Sequence, residues 1–252
     1  RTMQRRQFLQ TSALATALLG GMPLSATAKS AKGKVVVIGG GYGGATAAKY
    51  LRMLSGNQLD VTLVEPNSTF VSCPMSNLVV GGIRKINEIS TPYTGLTRNH
   101  GVKMVKDYVT AIDVEKRTVK LKNGKTLPYD KLVLSPGIDL QLDKIEGLAA
   151  ANASGQILQA WKAGPETVGL RKQLEAMPDG GTYILNVPLA PYRCPPGPYE
   201  RASMVANYFK QYKPKSKVLL LDANADVTSK GKLFKGVWES EYKGILEYRP
   251  NM

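Results

Sequence analysis

Cys73 and Cys194 are the two cysteines of the chain, and a thiolate is the side-chain species that both attacks sulfur and leaves from it. Cys194 lies in "APYRCPPGPYER" (residues 190–201), between the apolar run Thr182–Leu189 and a helix-like run from Ala202 to Lys210. A thiol placed just before a helix N-terminus, with Arg193 and Arg201 nearby, meets positive charge from both, and both favour thiolate. Glu200 falls in the first turn of that helix, where it either counters the helix dipole or serves as a proton acceptor. Cys73 lies in "PNSTFVSCPMSN" (residues 66–77). Spacing alone leaves open a structural disulfide between the two cysteines.

A second group of residues has the spacing of a phosphate cradle. Gly39, Gly41 and Gly44 in "KVVVIGGGYGGATAAKYLRML" fit G-x-G-x-x-G. Gly39 permits a tight turn, Gly41 lets the backbone approach a pyrophosphate, and Gly44 lets helix and strand pack closely. Glu65 ends the next apolar run, "DVTLVE", 21 residues after Gly44, where a carboxylate meets an adenosine ribose hydroxyl. An acid there argues against a 2′-phosphate and hence against NADP. It does not separate NAD from FAD.

These residues must be carried by a βαβ unit: a buried strand from Lys34, a helix with Ala47, Leu51 and Leu54 on one face, and a strand from Asp60. Residues 102–137 read as a strand, a β-meander with an Asn123-Gly124 hairpin turn, and an apolar strand ending in Ser-Pro-Gly. That order belongs to flavin reductases with two dinucleotide domains, and it favours FAD. So does Cys73, on a loop that passes the cofactor's reactive end. Val109 and Gly137 are then candidate backbone contacts to the adenine and pyrophosphate ends, with ordinary meander and turn positions as the alternative.

From Trp161 a second α/β unit begins: a helix (Pro165–Met177), a Gly180-Gly181 turn, a strand (Thr182–Val187), a helix near Pro198–Tyr212 and a strand (Lys217–Ala223). Where a nicotinamide-binding unit brings backbone amides to pyrophosphate, this one has Pro191, Cys194, Pro195, Pro196 and Pro198. Prolines remove amide donors and add bulk, which argues against a second dinucleotide. The fold expected is α/β: a Rossmann-like FAD-binding domain with a β-meander (residues 29–150), then an incomplete NAD-domain-like α/β unit carrying the redox cysteine (residues 151–252). The stretch from Gly147 to Gly155 is the candidate hinge.

Residues 1–28 read as a twin-arginine signal peptide: "QRRQFLQ", a short apolar run from Ala13 to Leu19, and an A-x-A end at Ala26 and Ala28. Export to the periplasm follows, and with it the expectation of a tightly held prosthetic group. No later segment is apolar enough to span a bilayer. The first Met is Met3 and the chain stops a few residues into an apparent strand, so a longer reading frame is expected.

The formal charge of +15, three units of it from Arg1, Arg5 and Arg6, suits anionic ligands. Only "KQYKPKSK" (residues 210–217) approaches a nucleic-acid pattern, and it reads as a solvated helix end. His100, the single histidine, reads as a surface residue; no cluster has metal-ligand spacing, and the absence of C-x-x-C-H assigns any haem to a partner.

At "VVVIGGGYGGATAAKYL", "VTLVEPNSTFVSCPMSNLVVGG", "AWKAG" and above all "APYRCPPGPYERASMVANYF", the chain resembles the flavoprotein subunit of flavocytochrome c sulfide dehydrogenase, a family related to sulfide:quinone oxidoreductases. The resemblance implies FAD, joined covalently through Cys73. It implies a redox disulfide formed by Cys194 with a cysteine beyond residue 252, and Glu200 beside the flavin as a proton carrier. It implies sulfide as substrate, sulfur or polysulfide as product, and a c-type cytochrome subunit as acceptor. The alternatives are transfer to quinone, or a flavin-binding redox protein without turnover.

Overall fold

The computed structural model describes residues 32–252, so the signal peptide expected over residues 1–28 lies outside the described residues. Strand β1 (Gly33–Ile38) is a run of Val and Ile buried on both faces, the pattern of a central strand in a parallel sheet. It pairs in parallel with β2 (Leu59–Val64) and β9 (Lys131–Leu134), and β5 (Lys103–Val105) borders β2, for an order of β5-β2-β1-β9.

Alternation along β1 divides the two faces. Val35 and Val37 pack with Ala48 of helix α1 (Tyr42–Leu54). Val36 and Ile38 pack with Val119 and Leu121 of the antiparallel meander β6-β7-β8 (Val109–Asp113, Thr118–Leu121, Thr126–Pro128). The expected sheet, crossover and meander are therefore present. The expected helix face is not: Leu54 is 84% exposed, and the inward positions are Gly44, Ala48 and Leu51. These share the spacing i, i+4, i+7 with Ala47, Leu51 and Leu54, but three residues earlier, so that Leu51 is common to both sets and the buried face starts at the motif glycine.

Between β2 and β5, a short antiparallel pair, β3 (Thr69–Val71) with β4 (Ser90–Pro92), frames helix α2 (Ser76–Val80), and α3 (Thr94–His100) follows. The stretch from 147 to 155, the candidate hinge, contains helix α4 (Leu148–Ala153), entered through Gly147 at φ 76°. Its alanines are strong helix formers and outweigh the flanking glycines.

The second unit is the parallel sheet β10-β11-β12 (Thr182–Val187, Lys217–Asp222, Leu246–Arg249) with helices α5 (Pro165–Ala176), α6 (Gly197–Tyr212) and α7 (Gly231–Glu241). Tyr199 and Phe209 of α6 are fully buried in its core, and Val80 of α2 belongs to the same cluster. The loop that carries Cys73 is thereby packed onto the unit that carries Cys194.

Candidate active site

The glycine turn is the first component. Gly39 adopts φ 92°, and a Cβ there would meet the carbonyl oxygen of Ser135 at 2.0 Å. At Gly44 a Cβ would stand 1.8 Å from the Gly39 carbonyl oxygen, so no side chain fits between helix and strand. At Gly41 it would meet nothing within 4 Å. Two of the glycines are thus required by the protein itself, whereas the third faces open space at the N-terminus of α1. That is the shape of a cradle for a group outside the chain.

Glu65, 8% exposed, ties the end of β2 to this turn. Its Oε2 accepts from the Gly40 amide at 2.8 Å, and its Oε1 accepts from the backbone and side-chain nitrogens of Asn67 at 2.9 and 2.7 Å. Oε2 keeps one acceptor position for a ligand hydroxyl. Tyr93, missed at the level of sequence, closes the far side: its buried hydroxyl donates to the Gly40 carbonyl at 2.8 Å, and burial, with Glu65 nearby, pushes that phenol well up. Gly137, at φ 81°, follows Ser135 beside Gly39 and has open space at its Cα. Val109 opens β6 and packs against the meander face of the sheet.

A short chain of contacts runs from the turn to the thiols. Tyr42, next to Gly41, shares a 2.6 Å hydrogen bond with Ser72, next to Cys73. The half-buried Cys73 thiol donates to the Trp161 carbonyl at 3.0 Å. One residue away, the Ala160 carbonyl accepts from Nη2 of Arg201 at 2.9 Å. The Trp161 ring packs on Tyr192 with centroids 5.6 Å apart, and Tyr192 lies two residues before Cys194. Residues 160–161 therefore bring the two cysteine loops together. Both thiols are free, Cys73 half-buried and Cys194 exposed. Burial pushes the Cys73 thiol up, opposed by Arg193 and Arg201 and reinforced by Cys194.

Cys194 adopts φ 55°, a left-handed conformation uncommon for a residue with a side chain. The bend sets its sulfur over the start of α6, 3.2 Å from where a Cβ on Gly197 would stand. Glu200 is exposed in the first turn of α6, and its Oε2 takes a long 3.5 Å contact from Nδ2 of Asn77. Arg201, one residue further, is 6% exposed. The sequence placed it near the thiol, but its burial depends on α2, α5 and α6 packing together and has no local signal.

In the second unit, Asp222 stands at the end of β11 as Glu65 stands after β2, and it is fully buried. Oδ1 accepts from the backbone and side chain of Asn224 at 2.9 and 2.7 Å, and Oδ2 accepts from Tyr199 and Tyr248 at 2.8 and 3.1 Å. Four donors use every acceptor position of the carboxylate. A ribose finds none left, which joins the prolines as a second obstacle to a nicotinamide cofactor here. Among the described residues, no group of His, Cys, Asp and Glu could hold a metal ion, and no helix is long and apolar enough to cross a membrane.

Two families match the chain. Pyridine nucleotide-disulphide oxidoreductase covers residues 33–163, and the central part of the sulfide dehydrogenase (flavocytochrome c) flavoprotein chain covers residues 167–252. The mitochondrial sulfide:quinone oxidoreductase of Dictyostelium discoideum is 29% identical over 189 residues, 74% of this chain and 41% of the relative. The sulfide dehydrogenase (flavocytochrome c) flavoprotein chain of Chlorobaculum thiosulfatiphilum is 61% identical over 46 residues, 18% of this chain and 94% of that sequence. Among solved structures, the sulfide:quinone oxidoreductase of Aquifex aeolicus superposes with a TM-score of 0.70 at 24% identity, over 86% of this chain and 51% of that one. The chain thus spans less than half the length of its longer curated relative.

Proposed function

From the chain's membership of the pyridine nucleotide-disulphide oxidoreductases, and its relation to the sulfide dehydrogenase flavoprotein, we propose that it is the flavin-bearing part of an enzyme oxidising sulfide to sulfur or polysulfide. One observation carries this reading: the Cys73 thiol and the segment that carries Cys194, through Tyr192 and Arg201, meet at residues 160–161, and Tyr42 and Ser72 link the Cys73 loop to an open glycine turn. The test is anaerobic addition of sulfide to the full-length protein. Bleaching of the flavin absorbance is expected, and a flavin that stays oxidised overturns the reading.

The residues present fit FAD. The turn that Gly39 and Gly44 make possible receives the pyrophosphate at Gly41, Glu65 takes a ribose hydroxyl, Val109 and Gly137 offer backbone contacts, and Cys73 is the covalent anchor. Bound there, the flavin supplies acceptance of an electron pair and its release one electron at a time. The anchor keeps the group from being lost in a compartment that does not replace it. Peptide mapping tests the anchor directly: the peptide bearing Cys73 is expected to carry the mass of a flavin, and an alkylated Cys73 removes the covalent assignment.

Cys194 is assigned to a redox disulfide with a cysteine beyond residue 252. Hydrosulfide attacks that disulfide, one S–S bond breaks as another forms, and a persulfide is left on one sulfur while the other departs as thiolate. The negative charge passes from substrate to leaving sulfur, so the step is charge-balanced. Glu200, in the first turn of the helix that Cys194 precedes, is the residue we assign to hold the proton that sulfide brings.

The acceptor we assign is a c-type cytochrome subunit, on the strength of the 61% identity to a flavocytochrome c chain and the position of Cys73. The twin-arginine pattern supports a periplasmic address. The longer match to a sulfide:quinone oxidoreductase favours the second reading, transfer to quinone. Supplying the reduced enzyme with cytochrome c or with a short-chain quinone and comparing reoxidation rates separates the two.

A further inference from the structure

Among the described residues, two buried side-chain polar atoms have no hydrogen-bond partner: Nε of Arg201 and Oδ1 of Asn77. Both lie where α2 meets the start of α6, beside the cysteine loops. Asn77 reaches α6 only through long contacts, 3.4 Å to the Gly197 carbonyl and 3.5 Å to Glu200. Arg201 is 6% exposed, spends Nη2 on the Ala160 carbonyl, and forms no ion pair with any carboxylate of the described residues.

A buried guanidinium without a counter-ion is costly, and a protein keeps one where an anion arrives to compensate it. Burial pulls the Arg201 guanidinium below the ordinary arginine range, opposed by the neighbouring Tyr183, Cys73, Cys194 and Glu200, each of which is an anion only when deprotonated. With Cys73 engaged as an anchor and Cys194 in a disulfide, two of those four carry no charge, and the phenol of Tyr183 is pushed up by burial. Glu200 is exposed to solvent. The Cys194 sulfur stands 3.2 Å from where a Cβ on Gly197 would be, and Arg201 follows Gly197 by four residues on the same face of α6, so the positive charge is left on the side of the helix that the sulfur covers.

We propose that Arg201, assisted by Arg193 and the N-terminus of α6, forms a subsite for a small monovalent anion beside Cys194, and that the hydrosulfide class occupies it. The assignment of the occupant rests on the sulfide reading above; the anion site does not. Arg201 is a positioning residue in this scheme. Its charge draws the anion to the sulfur and remains in place for the thiolate that the attack releases. Because both states carry one negative charge, a single fixed cation serves both, with no rearrangement between them.

The test compares alkylation of Cys194 by iodoacetate, an anion, with alkylation by neutral iodoacetamide. It uses the full-length protein after its disulfide is opened with a phosphine, with sites resolved by peptide mapping. The thiolate fraction cancels in the ratio of the two rates, so the ratio reads local potential rather than acidity. Relative to free cysteine, the wild-type ratio is expected to be raised roughly tenfold. Arg201→Gln abolishes the rise, Arg201→Lys keeps most of it, and Arg193→Gln, at an exposed position, lowers it less. A wild-type ratio equal to that of free cysteine overturns the proposal without any variant having to fold, as does an unchanged ratio in Arg201→Gln. A raised ratio in a protein whose flavin ignores sulfide keeps the anion site and removes sulfide as its occupant. Sulfide reduction with an unraised ratio does the reverse.

Discussion

At the scale of single residues, the three motif glycines are unequal. Gly44 is hemmed in by protein, so Gly44→Ala is expected to lower both the melting temperature and the flavin content, because its Cβ would fall 1.8 Å from the Gly39 carbonyl oxygen. Gly41 has φ −66° and open space around it. Gly41→Val is therefore expected to leave the fold near its wild-type stability in the flavin-free protein while the flavin-to-protein ratio collapses. Measuring both quantities on both variants decides the matter, and a Gly41→Val protein with full flavin removes the cradle assignment. Glu65→Gln is milder. The Gly40 amide keeps an acceptor, but the charge that strengthens that bond is gone, and flavin affinity is expected to fall roughly tenfold.

At the scale of elements, α6 departs from the dinucleotide pattern it otherwise follows. A parallel strand feeds a helix, as β1 feeds α1, but the turn is built from prolines, and Tyr199 fills the space under the helix start. Tyr199→Phe removes one of the two hydroxyls on Oδ2 of Asp222 and leaves Tyr248 as that oxygen's remaining donor. The expected cost is about 1–3 kcal/mol of stability, read by denaturant unfolding. The variant is not expected to gain NADH binding, since the prolines remain. Burial raises the Tyr199 phenol, as it raises that of Tyr248, so both hydroxyls stay protonated donors to Asp222 to a higher pH than an ordinary tyrosine would.

At the scale of the whole molecule, the site lies between the units. The glycine turn and Cys73 come from one, Cys194, Glu200 and Arg201 from the other, and α2, which follows Cys73 in the chain, packs into the core of the second unit through Val80. Electrons from a nicotinamide would need a second dinucleotide site, and the acid that would receive its ribose is saturated by donors. NADH added anaerobically to the full-length protein is accordingly expected to leave the flavin oxidised under conditions where sulfide reduces it. Reduction by NADH at a comparable rate would contradict this account of the second unit.

Much of this was legible along the chain, for local reasons. The glycine turn, Glu65, the meander and the second βαβ unit each declare themselves within a few tens of residues, because strand and helix periods and glycine turns are short-range properties. The two cysteines declare themselves by type. Packing settled the rest. Leu54 has the right spacing for a buried face, yet it is left exposed while Gly44, Ala48 and Leu51 turn inward. Residues 147–155 read as a candidate hinge from their glycines, and within them Leu148–Ala153 form α4. Tyr93, Asn77 and the burial of Arg201 depend on contacts between residues far apart in sequence, Ala160 with Arg201 and Asn77 with Gly197 among them. A chain read residue by residue states which groups can do chemistry. Which of them lose water, and which are left without a partner when they do, is decided only when distant elements close over them.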